Sequence, residues 1–192
     1  MQECKKVFVL FGSPHNNGTT AKLLNEFLKA FDKTRYNIRI ANVYEENILP
    51  CNDCGGCKKT FGCIIKQNSE LFYNLEQADY IIVATPLYLL SMPAPLKAVF
   101  DRFQQYYNAK FHLGYKEAIK KHKSAFLIIT SGNVKTDDAK ILKTQIKLAF
   151  SVMNIKIKDS LVLDGTDNLN EEKMQQTLVD AKIKATEFIT EE

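Results

Sequence analysis

The chain of 192 residues has little arginine and no long hydrophobic run. Only Arg35, Arg39 and Arg102 are arginines, and the lysines are spread along the chain rather than gathered into a basic arm. Nucleic-acid-binding domains usually cluster Arg and Lys with interleaved aromatic residues, so we expect no nucleic-acid partner despite the net charge of +4. The first apolar run, residues 7–11, is too short for a signal peptide or a membrane span. The sequence therefore predicts a cytoplasmic protein with no membrane partner.

Two familiar nucleotide-binding patterns are also missing. The segment after the first apolar run, residues 12–20, lacks the GxGxxG spacing of dinucleotide-binding folds. It also lacks the lysine and the four-residue gap of a Walker P-loop. No convincing acid–base pair or nucleophile triad is found elsewhere. A ligand at this loop must therefore be held by other means.

The most unusual feature that is present is a compact cysteine motif, CNDCGGCKKTFGC. Its cysteines are Cys51, Cys54, Cys57 and Cys63, and the intervening glycines allow the backbone to bend sharply. Thiols stay reduced in the cytoplasm, so clustered cysteines there bind metal or do redox work rather than form disulfides. An iron-sulfur cluster is the first interpretation. Zinc, whose four-cysteine sites usually split into two distant pairs, and free or redox-active thiols remain as alternatives.

Hydrophobic periodicity predicts strictly alternating strands and helices. The predicted strands cover 6–11, 36–43, 80–85, 125–130 and 155–163, and the predicted helices cover 19–31, 69–77, 93–107, 137–153 and 170–189. This alternation predicts a three-layer, doubly wound α/β fold with a five-stranded parallel sheet. Five strands favour the flavodoxin-like strand order 2-1-3-4-5. We expect a single domain over residues 1–192, with a cysteine-rich insertion at about 50–66.

In such a sheet, ligands bind at the carboxyl ends of the strands, so the composition of those loops is informative. The first loop offers neutral donors at a helix start, namely the side chains of Ser13, Asn17, Thr19 and Thr20. Such donors, together with free backbone N–H groups, can hold a terminal phosphate without a cation. Ordinary helix capping is the alternative, because Ser, Thr and Asn favour caps anyway.

The loops after the third and fourth predicted strands are suited to a flat ring. Residues 85–93 are apolar and stiffened by proline, and Tyr88 is placed to flank the face of an aromatic ligand. Packing of Tyr88 in the core is the alternative. Residues 130–133 are small enough to let a ring approach the backbone.

Three segments together resemble a known family. GSPHNNGTTAKLL at 12–24, PCNDCGGC at 50–57 with Cys63 beyond, and TPLYLLSMPAPLKAVFDR at 85–102 resemble the iron-sulfur flavoprotein branch of the NADPH-dependent FMN reductase family. The resemblance implies FMN as cofactor, with the phosphate contacted by Ser13, His15, Asn17, Thr19 and Thr20. It implies that Pro86, Leu87, Tyr88 and Leu89 contact the isoalloxazine ring, with Ser131, Gly132 and Asn133 nearby. His15 departs from the family, which commonly has arginine at this position.

The resemblance also implies a function. We expect an FMN-dependent oxidoreductase in which the flavin carries the chemistry and no side chain is catalytic. A four-iron four-sulfur cluster on Cys51, Cys54, Cys57 and Cys63 would exchange electrons with a ferredoxin-like protein. The alternative is an NAD(P)H-dependent FMN or quinone reductase that acts on a small-molecule electron acceptor and whose cysteines are pocket thiols. A flavodoxin-like carrier fits poorly, because flavodoxins are typically acidic.

The resemblance bears on assembly too. Family members form homodimers or homotetramers, and we expect one of these here. Asp101 and Arg102 match the family pattern, and we interpret them as a structural ion pair at a helix end or a subunit interface.

Overall fold

A computed structural model describes residues 4–133 and 136–190 of the chain. The strands are β1 Lys5–Phe11, β2 Tyr36–Asn42, β3 Tyr80–Pro86, β4 Lys123–Thr130 and β5 Ile155–Leu163. The helices are α1 Thr19–Leu28, α2 Ser69–Gln77, α3 Ala94–Asp101, α4 Gln104–Phe111, α5 Ala139–Phe150 and α6 Glu171–Thr190. Within the described residues, no helix is both long and apolar enough to cross a membrane.

The five strands form one parallel sheet in the order β2-β1-β3-β4-β5. This confirms the predicted fold class and strand order. Parallel neighbours require crossover connections, which the intervening helices supply. The order reverses at β1, which pairs with β2 on one side and with β3 on the other.

Helices cover both faces of the sheet, so most residues of the central strands are buried. In β1, Phe8 and Leu10 join a core beneath α2 to α5, whereas Val7, Val9 and Phe11 join a second core with α1 and α6. The same alternation continues in β3 and β4. It explains why these strands are apolar at nearly every position instead of alternating with polar residues.

The predicted helix over 93–107 is wrong as a single element. The structure has two helices, α3 and α4, separated at Arg102 and Phe103. At this junction the backbone N–H groups of Arg102 and Phe103 donate to Val99 and Phe100, three residues back, which tightens the turn. Hydrophobic residues continue through the junction, so periodicity alone could not reveal the break.

The first helix is also shorter than predicted. It ends at Leu28, three residues before the predicted end, although Phe31 is buried in the core that α1 helps to form. A side chain can therefore pack with a helix face without belonging to the helix.

Candidate functional site

Hydrogen bonds join the loops at the carboxyl edge of the sheet. The Gly12 N–H donates to the carbonyl oxygen of Ala84 at 2.8 Å, which ties the first loop to the end of β3. The Leu87 N–H donates to the Thr130 carbonyl at 2.7 Å, which ties the second loop to the end of β4. The three loops predicted to form one site therefore lie side by side.

The first loop presents both buried and exposed polar groups. Ser13 is buried, and its Oγ accepts the His15 N–H at 3.2 Å, whereas His15 and Asn17 are exposed. α1 begins after Gly18, and within the described residues no side chain caps that end. The capping alternative is therefore not realised, and the N–H groups of the first turn remain without a side-chain acceptor.

Thr20, in the first turn of α1, is bonded to the last residue of β4. Its Oγ1 lies 2.7 Å from Oγ1 of Thr130, and both hydroxyls are buried. Either oxygen can be the donor. When Thr130 donates, Thr20 keeps its own hydrogen for another acceptor. This bond joins the first and third loops across 110 residues of chain.

The second loop combines buried and strongly exposed apolar residues. Leu87 is buried, Tyr88 is 45% exposed and Leu89 is 99% exposed. The Tyr88 and Ser91 backbones exchange two hydrogen bonds of 2.9 Å, which closes a two-residue turn. Leu89 and Leu90 in that turn have φ values of 48° and 63°, a strained conformation for leucine. Tyr88 therefore does not pack in the core, and its ring is accessible to a ligand.

A tyrosine that the sequence analysis missed lies near Tyr88. Tyr44 follows β2, whose end lies at the same edge of the sheet. Burial raises the pKa of Tyr44, and the nearby Tyr88 hydroxyl adds a smaller upward contribution. The position of Tyr44 just after a strand was the signal that could have revealed it.

The third loop is held by residues that follow β5. Ser131 is buried, and its carbonyl accepts the N–H of Thr166 at 2.9 Å and the Thr166 hydroxyl at 3.0 Å. A Cβ on Gly132 would lie 2.5 Å from a carboxylate oxygen of Asp167, so glycine permits this close approach. The loop after β5 thus places Thr166 and Asp167 beside the third loop. Neither residue was among those predicted from the sequence.

The cysteine motif connects β2 to α2 and curls over the junction of α3 and α4. All four cysteines border one small cavity of about 20 Å³. Gly55 and Gly62 have φ values of 72° and 104°, and Gly56 approaches Ile64 so closely that a Cβ would lie 2.5 Å from its methyl group. The predicted bending of the motif at its glycines is therefore present.

Three buried polar side chains lie beneath the motif. Asn108 donates from Nδ2 to Sγ of Cys57 at 3.1 Å, and Oε1 of Gln105 accepts the Cys63 N–H at 3.0 Å. Arg102 borders the same cavity as the cysteines. The local sequence pattern gives no link between positions 102, 105 and 108 and the cysteines.

The structure corrects the expected ion pair between Asp101 and Arg102. Asp101 pairs with Lys97 on the helix surface. Arg102 instead is buried and donates to the carbonyl oxygens of Gln67 at 2.8 Å and Ile65 at 2.6 Å. It therefore holds the segment that follows the last cysteine.

The sulfur atoms do not form a closed metal site. In residues 4–133 and 136–190, no three His, Cys, Asp or Glu side chains converge closely enough to hold a metal ion. The donor chemistry nevertheless fits an iron-sulfur cluster, because four thiols border one cavity and Asn108 supplies an N–H group to sulfur. The cavity has room for about one water molecule.

A separate cavity of about 440 Å³ lies at the opposite, amino-terminal edge of the sheet. It is bordered by the first residues of β3, β4 and β5, including Lys123. Burial, reinforced by the charge of Lys121, lowers the pKa of Lys123 to about 8. This cavity is remote from the strand-end loops and from the cysteine motif, so it is not part of the candidate site.

The sheet order and the polar loops at its carboxyl edge define a flavodoxin-like α/β protein. The model of the family described as flavodoxin-like fold matches residues 5–187. The chain therefore belongs to that family.

Individual relatives carry more specific names. The chain is 32% identical over 98 residues to an iron-sulfur flavoprotein of Methanosarcina thermophila, covering 50% of this chain and 51% of that protein. It thus spans about half the length of that relative. It is 26% identical over 192 aligned positions to an FMN-dependent NADH:quinone oxidoreductase of Pelagibacter ubique, covering 88% of this chain and 97% of the relative.

A solved structure shares the fold at low identity. The NAD(P)H:quinone oxidoreductase from Methanothermobacter marburgensis superposes with a TM-score of 0.72 at 16% identity, covering 96% of both chains. At this identity the likeness establishes the fold alone.

Proposed function

We propose that this chain is an FMN-dependent oxidoreductase that passes electrons from NAD(P)H or a ferredoxin-like protein to a small-molecule acceptor. The observation that carries the proposal is the meeting of the three strand-end loops at one edge of the sheet. The first loop places hydrogen-bond donors suited to a phosphate at the uncapped start of α1, and the second loop exposes the ring of Tyr88. Relatives named as flavoproteins and as FMN-dependent reductases support the same choice of cofactor.

The residues at this edge fit the two ends of FMN. The first turn of α1 and the side chains of Ser13, His15, Asn17, Thr19 and Thr20 would hold the phosphate. Because His15 stands where the family commonly has arginine, the phosphate would be held here without a fixed positive charge from this loop.

The ring end would be held by less polar groups. Pro86, Leu87, Tyr88 and Leu89 would flank the isoalloxazine on one side, and the backbone of residues 131–133 would approach it on another. Bound FMN supplies hydride and single-electron transfer. The protein residues bind and orient the cofactor and exclude water from one face of its ring.

The role of the cysteine motif distinguishes two versions of this function. In the first, Cys51, Cys54, Cys57 and Cys63 hold an iron-sulfur cluster, supported by their shared cavity and by the buried polar residues beneath them. In the second, the protein is an NAD(P)H-dependent quinone or FMN reductase and the cysteines are pocket thiols. That version is supported by the lack of a closed metal site in the described chain and by the nearly full-length likeness to an NADH:quinone oxidoreductase.

One preparation tests both versions. The protein is purified anaerobically, and flavin, iron and sulfide are measured on the same sample together with the absorption spectrum. About four irons and one FMN per chain would support the cluster version. FMN without iron, and bleaching by NADH or NADPH that a quinone reverses, would support the second version. A preparation that binds no FMN would refute the proposed function.

A pair of cysteine variants sharpens the test. Cys54→Ser should lose iron and keep FMN, because the cysteine motif and the strand-end loops are separate parts of the structure. Cys4→Ser is the matched control, since Cys4 is exposed and lies outside the motif. It should keep both iron and FMN. Loss of FMN from Cys54→Ser would contradict the separation of the two sites.

A further inference from the structure

Arg102 is a buried cation without a carboxylate partner. Its side chain is the largest of those that are fully buried, with 2% of the residue exposed. The guanidinium lies 4.3 Å from the centre of the Phe72 ring, and its terminal nitrogens donate to two backbone carbonyls. In the described part of the chain, Arg102 takes part in no ion pair, and its Nε has no hydrogen-bond acceptor.

This arrangement leaves the charge only partly compensated. Carbonyl oxygens and an aromatic face attract a guanidinium, but neither carries a net negative charge. Arginine stays protonated at any pH at which proteins fold, so it cannot relieve the burial by losing a proton. A buried charge without a counter-ion is strongly unfavourable. The site is therefore electrostatically suited to an anion.

The place for that anion is the cavity that Arg102 shares with the cysteines. Cys51, Cys54, Cys57 and Cys63 border it together with Arg102, Gln105 and Asn108. Two of these polar residues contact the motif directly, Asn108 at the Cys57 sulfur and Gln105 at the Cys63 N–H. Gln105 also donates from Nε2 to the backbone carbonyl of Arg102 at 3.2 Å, which fixes the Gln105 side chain beside the cavity.

We propose that Arg102 is the counter-charge of a thiolate-ligated, net anionic iron-sulfur cluster on the four cysteines, with Asn108 as an N–H donor to its sulfur. The inference rests on the cluster version of the proposed function. Arg102 is a positioning residue, because it also holds the backbone after Cys63 through Ile65 and Gln67. A nearby positive charge and an N–H donor stabilise the reduced, more negative state and so raise the reduction potential.

The test compares reduction potentials among variants of the full-length protein. After anaerobic reconstitution with iron and sulfide, iron content is measured, and the midpoint potential is followed by electron paramagnetic resonance. Arg102→Met should shift the equilibrium at least about tenfold toward the oxidised cluster, which is 59 mV for a one-electron couple. Arg102→Lys should recover more than half of that shift. Asn108→Ala should give a smaller shift of the same sign.

Arg39→Met is the matched control. Arg39 is half-exposed and paired with Glu70, so the variant removes the same charge from a surface site. The equilibrium constant for reduction of its cluster should stay within about twofold of the wild-type value, because exposed charges are strongly screened. Far-UV circular dichroism and FMN content establish that each variant is folded. If Arg102→Met does not fold, Arg102→Lys and Asn108→Ala carry the test.

The outcomes are distinct. Loss of iron from Arg102→Met with retention in Arg102→Lys would also support the counter-charge role. Equal potentials in wild type and Arg102→Met, equal shifts in the Met and Lys variants, or loss of iron from both would overturn it while leaving the cluster version standing. A wild-type protein that binds FMN but no iron would overturn the cluster version and this inference together.

Discussion

The hydroxyl pair of Thr20 and Thr130 allows a quantitative test of how the candidate site is held together. The two oxygens lie 2.7 Å apart, and each residue is 4% exposed. Replacing either threonine by valine keeps the shape of the side chain and leaves the other hydroxyl buried without its partner. A buried polar group that loses its partner costs about 1–3 kcal/mol, whereas replacing both partners by apolar groups is nearly neutral.

The expected result is therefore non-additive. Thr20→Val and Thr130→Val should each lower the free energy of unfolding by about 1–3 kcal/mol. The double variant should be destabilised by at least about 1 kcal/mol less than the sum of the two.

Urea unfolding of FMN-free protein measures these energies. With a denaturant slope of about 2 kcal/mol/M, a loss of 1 kcal/mol moves the midpoint by about 0.5 M. Thr144→Val is the control, because Thr144 is exposed and its hydroxyl donates only to the backbone carbonyl of Lys140 in the same helix. It should change stability by less than about 0.5 kcal/mol.

The same variants bear on cofactor binding. If the Thr20 hydroxyl also meets the FMN phosphate, Thr20→Val and the double variant should bind FMN about three- to tenfold more weakly in a fluorescence titration. Thr130→Val should stay within about threefold of wild type. Additive unfolding energies, agreeing to within about 0.5 kcal/mol, would refute the coupling of these hydroxyls.

Two further predictions concern the backbone at β1 and the amino-terminal edge of the sheet. Gly12→Ala should lower the thermal midpoint and reduce the free energy of unfolding by about 1–3 kcal/mol, because its Cβ would lie 2.8 Å from a methyl group of the fully buried Leu96. Gly114→Ala is the comparison, because nothing lies within 4 Å of its added Cβ although its φ is positive. It therefore separates the effect of crowding from that of backbone strain. Burial lowers the pKa of Lys123 from 10.5 to about 8, so between these values the unfolded chain binds more protons than the native one. Stability should therefore rise with pH across that window, by at most about 3 kcal/mol because partial solvent exposure screens the charge. Urea unfolding of wild type and Lys123→Met from pH 7.5 to 10.5 should show this contribution in wild type alone, and parallel curves would contradict it.

Much of the fold could be predicted because its signals are local. The apolar runs in β1, β3 and β4 have no polar face, which occurs in strands covered by helices on both sides. The alternation of strands and helices then restricted the topology to a few parallel arrangements, of which the observed order is one.

The candidate site was only partly predictable. The loops after β1, β3 and β4 could be placed at one edge of the sheet from their position after strands. Tyr44, Thr166 and Asp167 were missed, because their relevance depends on how the ends of β2 and β5 approach the other loops. The pairing of Thr20 with Thr130 likewise joins residues that have no local relation in the chain.

From local sequence features we could predict the parallel fold with its strand order, the bending of the cysteine motif at its glycines, and which loops lie at the carboxyl edge of the sheet. The break between α3 and α4, and with it the environment of Arg102 beneath the cysteines, depended on tertiary contacts. Hydrophobic periodicity reports local conformation, whereas the partners of a buried polar side chain come from distant parts of the chain. Arg102 illustrates the difference, since its carbonyl partners belong to residues 35 and 37 positions away.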